Sequence, residues 1–211
     1  MRDVQAELAT IADPQHTAVL VVDVQNRFVG LPLDPPVEEV LPRLQQFIHA
    51  ARATGALIIR IANIIPAELY SPVWQWQHQR PTTFLAPGSE AVAFYPGFEP
   101  EPGDVLISKP RYSAFIGTPL ETVLRSRAIQ TVIVAGLTTD VCVSSTARDA
   151  FQRDFYTITL RDCAAERTLA RHESGLATLA SAFGVVCDST AVLRAWHDHL
   201  TSSPTVSDAA T

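Results

Sequence analysis

The chain has little lysine and little cysteine, and it contains no long hydrophobic run. Of its 16 basic residues only Lys109 is a lysine, and the rest are arginines. The three cysteines, at positions 142, 163 and 187, are odd in number and widely spaced, which excludes a disulfide framework or a zinc ribbon. No apolar run reaches the roughly 18–20 residues that a membrane-spanning helix needs. A glycine-rich phosphate loop and internal repeats are also absent from the sequence.

Positive charge is scarce as well. Sixteen basic residues stand against 22 acidic ones, giving a net charge of −6. This balance argues against nucleic acid or an anionic membrane surface as the main partner. Residues 1–15 lack the basic and apolar regions of a signal peptide, so we expect a cytoplasmic protein. Hydrophobic residues make up 47% of the 211, enough for the core of a single domain.

Strand and helix patterns alternate along the chain. Short apolar runs predict six strands, at 17–23, 56–62, 104–108, 130–136, 156–161 and 185–187. Helical spacing predicts helices over 37–54, 118–127, 139–153, 169–183 and 189–200. Together they predict a single-domain, three-layer α/β/α fold with a Rossmann-like, mainly parallel sheet of about six strands and helices on both faces. We expect the domain to span 1–200 and residues 201–211 to form a flexible tail.

One connection, from residue 63 to residue 103, departs from this pattern. It contains seven prolines, and four aromatic residues lie between positions 70 and 84. A connection of this length inside a compact domain is usually functional. We therefore expect it to form a pocket.

Three polar residues follow predicted strands, at the sheet edge where parallel sheets bind ligands. They are Asp23, Lys109 and Cys142. Cysteine can act as a nucleophile and aspartate as a general acid/base, while a compact ammonium stabilises charge where the bulkier guanidinium of arginine cannot replace it. Because Cys142 is predicted in the first turn of a helix, we expect the helix N-terminus and Lys109 to lower the thiol pKa.

Each of these residues also has a simpler interpretation. A lone cysteine usually packs as a small hydrophobic residue, and Asp23 could cap a loop. We expect Cys163 and Cys187, which lie at strand ends among apolar neighbours, to serve packing. His197 and His199 are two residues apart on one helix, which predicts a solvated helix rather than a metal site.

Three segments resemble the motifs of the isochorismatase-like cysteine hydrolase family. They are Ala18–Asn26 (AVLVVDVQN), Lys109–Phe115 (KPRYSAF) and Gly136–Asp149 (GLTTDVCVSSTARD). They occur in the family's order and separation, and the resemblance extends from about residue 17 to 197. Within the family the chain is most similar to the ureidoacrylate amidohydrolase and biuret hydrolase members. The resemblance implies an amidohydrolase on the family's α/β fold.

The resemblance also implies residue roles. Cys142 would attack the substrate carbonyl, Asp23 would take the thiol proton, and Lys109 would hold the pair and lower the thiol pKa. A cis peptide bond is implied at Leu137–Thr138. It would aim the N–H of Thr138, with that of Cys142, at the oxyanion of the intermediate.

Two departures from relatives narrow the expected chemistry. Nicotinamidases of the family hold zinc through an Asp-x-His pair and a further histidine, whereas residues 61–69 here contain no histidine. Isochorismatases that cleave a vinyl ether lack the nucleophilic cysteine, which this chain has in Cys142. We therefore expect C–N cleavage with no metal and no cofactor.

Five further residues are candidates for substrate contact. Asn63 falls where ureidoacrylate-type enzymes place an asparagine, and its amide suits a ureido group. Trp74 and Tyr112 could wall the pocket, and Gln25 or Phe28 could approach it from the first loop. Ordinary loop packing is an equal alternative for each.

The sequence thus favours a metal-independent cysteine amidohydrolase that releases ammonia from a small ureido, carbamoyl or amide substrate through a covalent acyl-enzyme. A nicotinamidase-like deamidase or an isochorismatase-type hydrolase is the alternative within the fold. A catalytically inactive module that binds a small molecule or a protein is the alternative of another class. The expected partner is a small molecule, and relatives suggest a homo-oligomer, either dimer or tetramer.

Overall fold

The computed structural model describes residues 3–81 and 83–202, which fold around one parallel sheet of six strands. The predicted α/β class, with its parallel sheet, is confirmed. The spatial order is β3-β2-β1-β4-β5-β6. The strands are β1 (Thr17–Val22), β2 (Leu57–Asn63), β3 (Val105–Lys109), β4 (Thr131–Leu137), β5 (Tyr156–Ala165) and β6 (Val185–Cys187).

Helices connect the strands. They are α1 (Val4–Ile11), α2 (Asn26–Val29), α3 (Val37–Ala53), α4 (Pro72–His78), α5 (Leu120–Ser126), α6 (Ser144–Phe151), α7 (Leu169–Ala182) and α8 (Ser189–Ser202). The five helices that the hydrophobic spacing predicts are present, and α1, α2 and α4 were not predicted. The helix predicted over 139–153 is divided, because residues 139–143 form a π-helical turn before α6 begins.

Apolar side chains cover both faces of the sheet. All six residues of β1 are buried, and they alternate between the two faces, with Val19 and Val21 on one and Leu20 on the other. On the first face Phe47 of α3 stacks on Trp196 of α8, with ring centroids 5.6 Å apart. Burial on both faces explains why the strand sequences are continuous apolar runs rather than alternating ones. Cys163 and Cys187 are buried among the apolar side chains of this same face, as the sequence predicted.

The strand order changes direction between β1 and β4. From β1 the chain first builds the sheet outward through β2 to β3, and β4 then returns to the other side of β1. The carboxyl ends of parallel strands on either side of such a switch point leave a crevice where ligands bind. Asp23 follows β1 and the Thr139–Val143 turn follows β4, so both lie beside this crevice.

The chain end differs slightly from the expectation. Helix α8 extends to Ser202, so the first two residues of the tail expected at 201–211 are helical. Residues 203–211, which make up the rest of the expected tail, lie outside the described residues. Within the described part of the chain, no helix has the length and apolar character needed to cross a membrane.

Candidate active site

Three chain segments converge at the carboxyl edge of the sheet. Asp23 follows β1 directly, with a left-handed backbone (φ 54°) that aspartate tolerates better than most residues. Its N–H donates to the carbonyl of Ile61 in β2, at 2.9 Å. Lys109 is the last residue of β3, and Cys142 lies in the turn after β4. The structure therefore brings together the three residues that the sequence singled out.

Lys109 and Asp23 form a buried ion pair. Nζ of Lys109 lies 2.8 Å from Oδ2 of Asp23, and both side chains are 0% exposed. The ammonium also donates to the carbonyl of Arg111, at 3.0 Å. A guanidinium is planar and larger than an ammonium, so it could not occupy this position in the same way. This contact gives a physical reason for the single lysine of the sequence.

Cys142 completes a buried three-residue set with this ion pair. The residue is 3% exposed, and the charges of both Asp23 and Lys109 act on its thiol. The turn that carries it is held from α7, where Nδ1 of His172 lies 2.8 Å from the hydroxyl of Thr139. The structure thus gathers the residues predicted as nucleophile, proton acceptor and cation at one buried place.

The electrostatics of the set correct one expectation. Burial raises the pKa of the Cys142 thiol; the Lys109 charge opposes that increase, and the Asp23 carboxylate adds to it. Burial likewise raises the pKa of Asp23, against the influence of Lys109. The expectation of a lowered thiol pKa is therefore wrong, because it considered the helix end and the ammonium but not the loss of water.

The resting set consequently holds one proton between two acids. With Lys109 charged, either a thiol with a carboxylate or a thiolate with a carboxylic acid gives the set zero net charge. Moving the proton from Cys142 to Asp23 keeps this neutrality, whereas losing it to solvent leaves a net negative charge in a buried site. Asp23 is thus the position to which the thiol proton can move without adding net charge to the buried set.

Strand β4 passes very close to β1 at the same edge. Gly136 has a φ of 116°, and a Cβ there would lie 2.1 Å from the carbonyl oxygen of Val22. Only glycine fits such an approach. The two residues after Gly136, Leu137 and Thr138, are joined by a cis peptide bond in the structure.

A cavity of about 210 Å³ opens above Cys142. Four of the predicted substrate-contact residues line it: Phe28, Asn63, Trp74 and Tyr112. The rings of Trp74 and Tyr112 pack together with centroids 4.9 Å apart. Thr138, predicted for the oxyanion, lines the cavity too. The long connection after β2 thus forms a pocket wall, as the sequence predicted.

Gln25 has a different place from the predicted one. Its side chain is 0% exposed and lies behind the cavity rather than in its wall. Oε1 accepts from the backbone N–H of Asn63 at 2.8 Å, and Nε2 donates to the carbonyl of Val92 at 2.7 Å. The expected substrate contact of Gln25 is wrong, because its side-chain amide is already hydrogen-bonded to the protein backbone and does not line the cavity. Gln25 positions Asn63 instead.

Asn63 is the polar group best placed to meet a ligand. It is 2% exposed, and its Oδ1 is buried without a hydrogen-bond partner among the described residues. An unpartnered buried acceptor costs free energy of about 1–3 kcal/mol. A ligand that donates an N–H to this oxygen would recover that cost.

Several cavity residues were missed by the sequence analysis. His78 lies on α4 with Nε2 3.0 Å from the hydroxyl of Tyr112, and Arg27, Arg167 and Arg171 also line the cavity. No periodicity or motif marked these residues, because they come from separate loops and helices that only the fold brings together. The described residues contain no group of three or more His, Cys, Asp and Glu side chains that could hold a metal ion.

Comparison with known proteins agrees with the fold. The Isochorismatase domain pattern matches residues 17–191. A ureidoacrylate amidohydrolase from Methylobacterium radiotolerans is 35% identical over 203 aligned residues, covering 85% of this chain and 79% of that enzyme.

Solved structures give the same result. A cysteine hydrolase from Pseudomonas syringae pv. phaseolicola matches with a TM-score of 0.82 and 28% identity, over 88% of this chain and 94% of that one. N-carbamoylsarcosine amidase from Thermoplasma acidophilum matches with a TM-score of 0.70 and 25% identity, over 82% and 96% of the two chains. The chain therefore belongs to the isochorismatase family of hydrolases.

Proposed function

We propose that the protein is a metal-independent cysteine amidohydrolase that cleaves a C–N bond of a small ureido, carbamoyl or amide compound and releases ammonia. The observation that carries the proposal is the buried ion pair of Asp23 and Lys109, whose charges act on the thiol of Cys142 beneath a small cavity. The bond cleaved is a C–N bond other than a peptide bond.

The names of the relatives support this substrate class. The curated relative acts on ureidoacrylate, and one structural neighbour is an amidase of N-carbamoylsarcosine. The cavity, at about 210 Å³, is below the roughly 300–1,000 Å³ of most ligand sites, which favours a small substrate. The free Oδ1 of Asn63 suits the N–H groups of a urea.

The first half of the reaction forms an acyl-enzyme. Asp23 accepts the thiol proton as Sγ of Cys142 attacks the carbonyl carbon, and the carbonyl oxygen becomes an oxyanion. The backbone N–H groups of Thr138 and Cys142 stabilise this oxyanion by hydrogen bonding. Asp23 then gives the proton to the nitrogen, the C–N bond breaks, and ammonia leaves. The product is a thioester of an amide substrate or a thiocarbamate of a ureido substrate.

The second half returns the enzyme to its resting state. Asp23 takes a proton from a water molecule that attacks the acyl carbon. The bond to sulfur breaks, and the proton goes back to Cys142. The released product is a carboxylic acid, or a carbamic acid when the substrate is a urea. Lys109 stays charged throughout and keeps the set close to neutrality.

Ammonia release from a panel of compounds tests the proposal. The panel contains ureidoacrylate, biuret, an N-carbamoyl amino acid, an aliphatic amide and nicotinamide, all with a chelator. Cys142→Ala is the inactive variant, and Cys163→Ala is the matched control because Cys163 is equally buried but lies in the core. We expect turnover of at least one ureido compound in wild type and Cys163→Ala and none in Cys142→Ala.

Other results would reject the proposal in distinct ways. Activity on nicotinamide that appears only with added zinc would favour a nicotinamidase-like deamidase. Turnover that survives Cys142→Ala would exclude the covalent mechanism. Binding of panel compounds without any turnover would leave a catalytically inactive binding module.

The setting of the enzyme is part of the same proposal. We propose a cytoplasmic homo-oligomer, dimer or tetramer. Three free, buried cysteines and the net charge of −6 are compatible with a reducing compartment and a small-molecule partner. Light scattering after gel filtration measures the oligomeric state, and a monomeric mass would contradict this part.

A further inference from the structure

A single π-helical turn carries Cys142 between β4 and α6. It consists of Thr139–Val143 and is named the Cys142 turn here. The carbonyl of Thr138 accepts from the N–H groups of Val141, at 3.2 Å, and Val143, at 3.1 Å. These bonds within the chain segment fix the shape of the turn. Its position at the sheet edge depends on the contacts that hold it from outside.

Two buried side chains hold the Cys142 turn at successive residues. Nδ1 of His172, on α7, lies 2.8 Å from Oγ1 of Thr139. Oε2 of Glu166 accepts from the backbone N–H of Asp140, at 3.0 Å. His172 is 1% exposed and Glu166 is 0% exposed. Because breaking either contact would leave buried polar groups unpaired, both contacts resist displacement of the turn.

A third contact on the same side contributes less. Arg171 pairs with Asp140, with Nη2 3.2 Å from Oδ2, but the two side chains are 48% and 36% exposed. Exposed ion pairs of this kind add little to stability. The turn is therefore held mainly by His172 and Glu166.

Helix α7 also packs tightly against the turn. A Cβ at Gly175 would lie 3.3 Å from Cα of Asp140, which is closer than nine in ten Cβ contacts. Helix and turn thus meet without a gap beside the hydrogen bond of His172. A shift of α7 is consequently transmitted to the Cys142 turn.

We propose that His172 is a positioning residue for Cys142 and acts through the hydroxyl of Thr139. This rests on the proposed function and goes beyond it, because it makes the rate depend on a helix residue that does not line the cavity. In the proposed reaction the Cys142 turn supplies both the attacking sulfur and one N–H group for the oxyanion. A shift of the turn therefore misplaces two reacting contacts at once, and a misplacement of about 1 Å can cost about a hundredfold in rate.

Removing the hydrogen bond from either side tests the proposal. Thr139→Val removes the hydroxyl, and His172→Leu removes the ring nitrogen. We expect each variant to lower kcat about 10- to 100-fold with the panel compound that turns over fastest, while KM changes by less than about threefold. The double variant should be no slower than the slower single variant, because both changes remove the same contact.

Conservative variants separate this contact from the bulk of the side chain. The amide of asparagine lies near the place of Nδ1 of a histidine, whereas that of glutamine lies one carbon farther out. His172→Asn should therefore recover about tenfold in kcat relative to His172→Leu, and His172→Gln should not. Thr139→Ser keeps the hydroxyl and should retain kcat within about threefold of the wild type.

Thr157→Val is the matched control for lost stability. Thr157 is a buried threonine whose hydroxyl donates to the carbonyl of Phe155, at 3.2 Å. It is the second residue of β5, so it lies at the amino edge of the sheet, opposite the candidate site. Its kcat should equal that of the wild type even where its stability falls. A kcat in Thr139→Val and His172→Leu that matches the kcat of Thr157→Val overturns the proposal.

Gly175→Ala disturbs the turn without removing a buried polar group. Alanine favours helix formation over glycine, so α7 should be retained, while the added Cβ presses on the backbone of Asp140. We expect kcat to fall several-fold at an unchanged KM. If His172→Leu and Thr139→Val do not fold, a wild-type kcat in Gly175→Ala overturns the proposal.

Hydrogen exchange provides a readout that does not depend on turnover. Mass spectrometry of a peptide covering residues 138–146 reports how often the Cys142 turn opens. Exchange in this peptide should be about tenfold faster in His172→Leu and Thr139→Val than in the wild type, and unchanged in Thr157→Val. If no panel compound is hydrolysed but exchange responds in this way, the anchoring by His172 stands and the proposed reaction fails. Equal exchange in the wild type and His172→Leu overturns the proposal.

Discussion

Replacing Lys109 by methionine separates the charge of the buried ion pair from its packing. Nζ of Lys109 lies 2.8 Å from Asp23, and both side chains are fully buried. Methionine is also unbranched and flexible, so it fills most of the space but leaves the carboxylate without a counter-ion. Removing one partner of a buried ion pair costs about 3–5 kcal/mol. We expect Lys109→Met to lose that much of its free energy of unfolding at neutral pH.

The loss should depend on pH in a defined direction. Burial raises the pKa of Asp23, and the charge of Lys109 opposes that increase. Without Lys109 the folded protein binds a proton on Asp23 more tightly than the unfolded chain does. Such a group contributes stability that is complete below the unfolded pKa and is lost as the pH rises through the folded pKa. The deficit of Lys109→Met should therefore be smaller at about pH 5 than at about pH 8.

Urea unfolding followed by tryptophan fluorescence measures both effects. The double variant Asp23→Asn/Lys109→Met is the control, because it also removes the Asp23 carboxylate that Lys109→Met leaves without a counter-ion. It should be more stable than Lys109→Met alone at neutral pH. A loss below about 1 kcal/mol, which is typical of an exposed ion pair, would refute the reasoning. So would a deficit that is the same at both pH values.

Three further predictions follow from other contacts. Alkylation of Cys142 by iodoacetamide should be slow and nearly independent of pH between about pH 6 and pH 9, because the thiol proton is kept within the buried set. An increase in the alkylation rate centred near the ordinary thiol pKa of about 8.5 would contradict this. Gln25→Leu should lower stability by about 1–3 kcal/mol by leaving buried groups unpaired. It should also raise KM through Asn63, and steady-state kinetics showing an unchanged KM would exclude that positioning role. For Asp104, burial acts to raise the pKa, but hydrogen bonds from Arg52 at 2.5 Å and Arg60 at 2.9 Å outweigh it and hold the pKa below its usual value. The stability advantage of the wild type over Asp104→Asn should thus be present above the unfolded pKa of about 4 and disappear as the pH falls through the lower folded pKa, as unfolding at several pH values will show.

The sheet and the meeting of Asp23, Lys109 and Cys142 at its edge could be predicted because their signals are local. Each strand buried on both faces is a continuous apolar run, and the residue that follows it must lie at the carboxyl edge. Asp23, Lys109 and Cys142 therefore fall together as soon as the strands are assigned. The single lysine pointed to the same place, since an ammonium next to a carboxylate in a dry site has no substitute in arginine.

The remaining features depend on the fold as a whole. A short π-helical turn and an α-helix show the same hydrophobic spacing. The sequence therefore could not predict that the helix expected over 139–153 is divided after residue 143. The hydrogen bonds of Gln25 join segments that are far apart in the sequence, so no short motif predicts them. The pKa of the Cys142 thiol is raised by burial, which also depends on the complete fold. Arg27 and Arg167 lie far apart in the sequence, and arginine is too common in this chain for either to be noticed.

Covalent catalysis by Cys142 is tested most directly by mass spectrometry after acid quenching. The wild-type enzyme is mixed with N-carbamoylglycine, stopped during steady-state turnover and digested, and the peptide containing Cys142 is weighed. We expect an adduct with the mass of the substrate less one ammonia, on Cys142 alone, that disappears as the substrate is consumed. Rapid ammonia release in Cys142→Ala, or from wild-type enzyme with Cys142 fully alkylated, would contradict the mechanism.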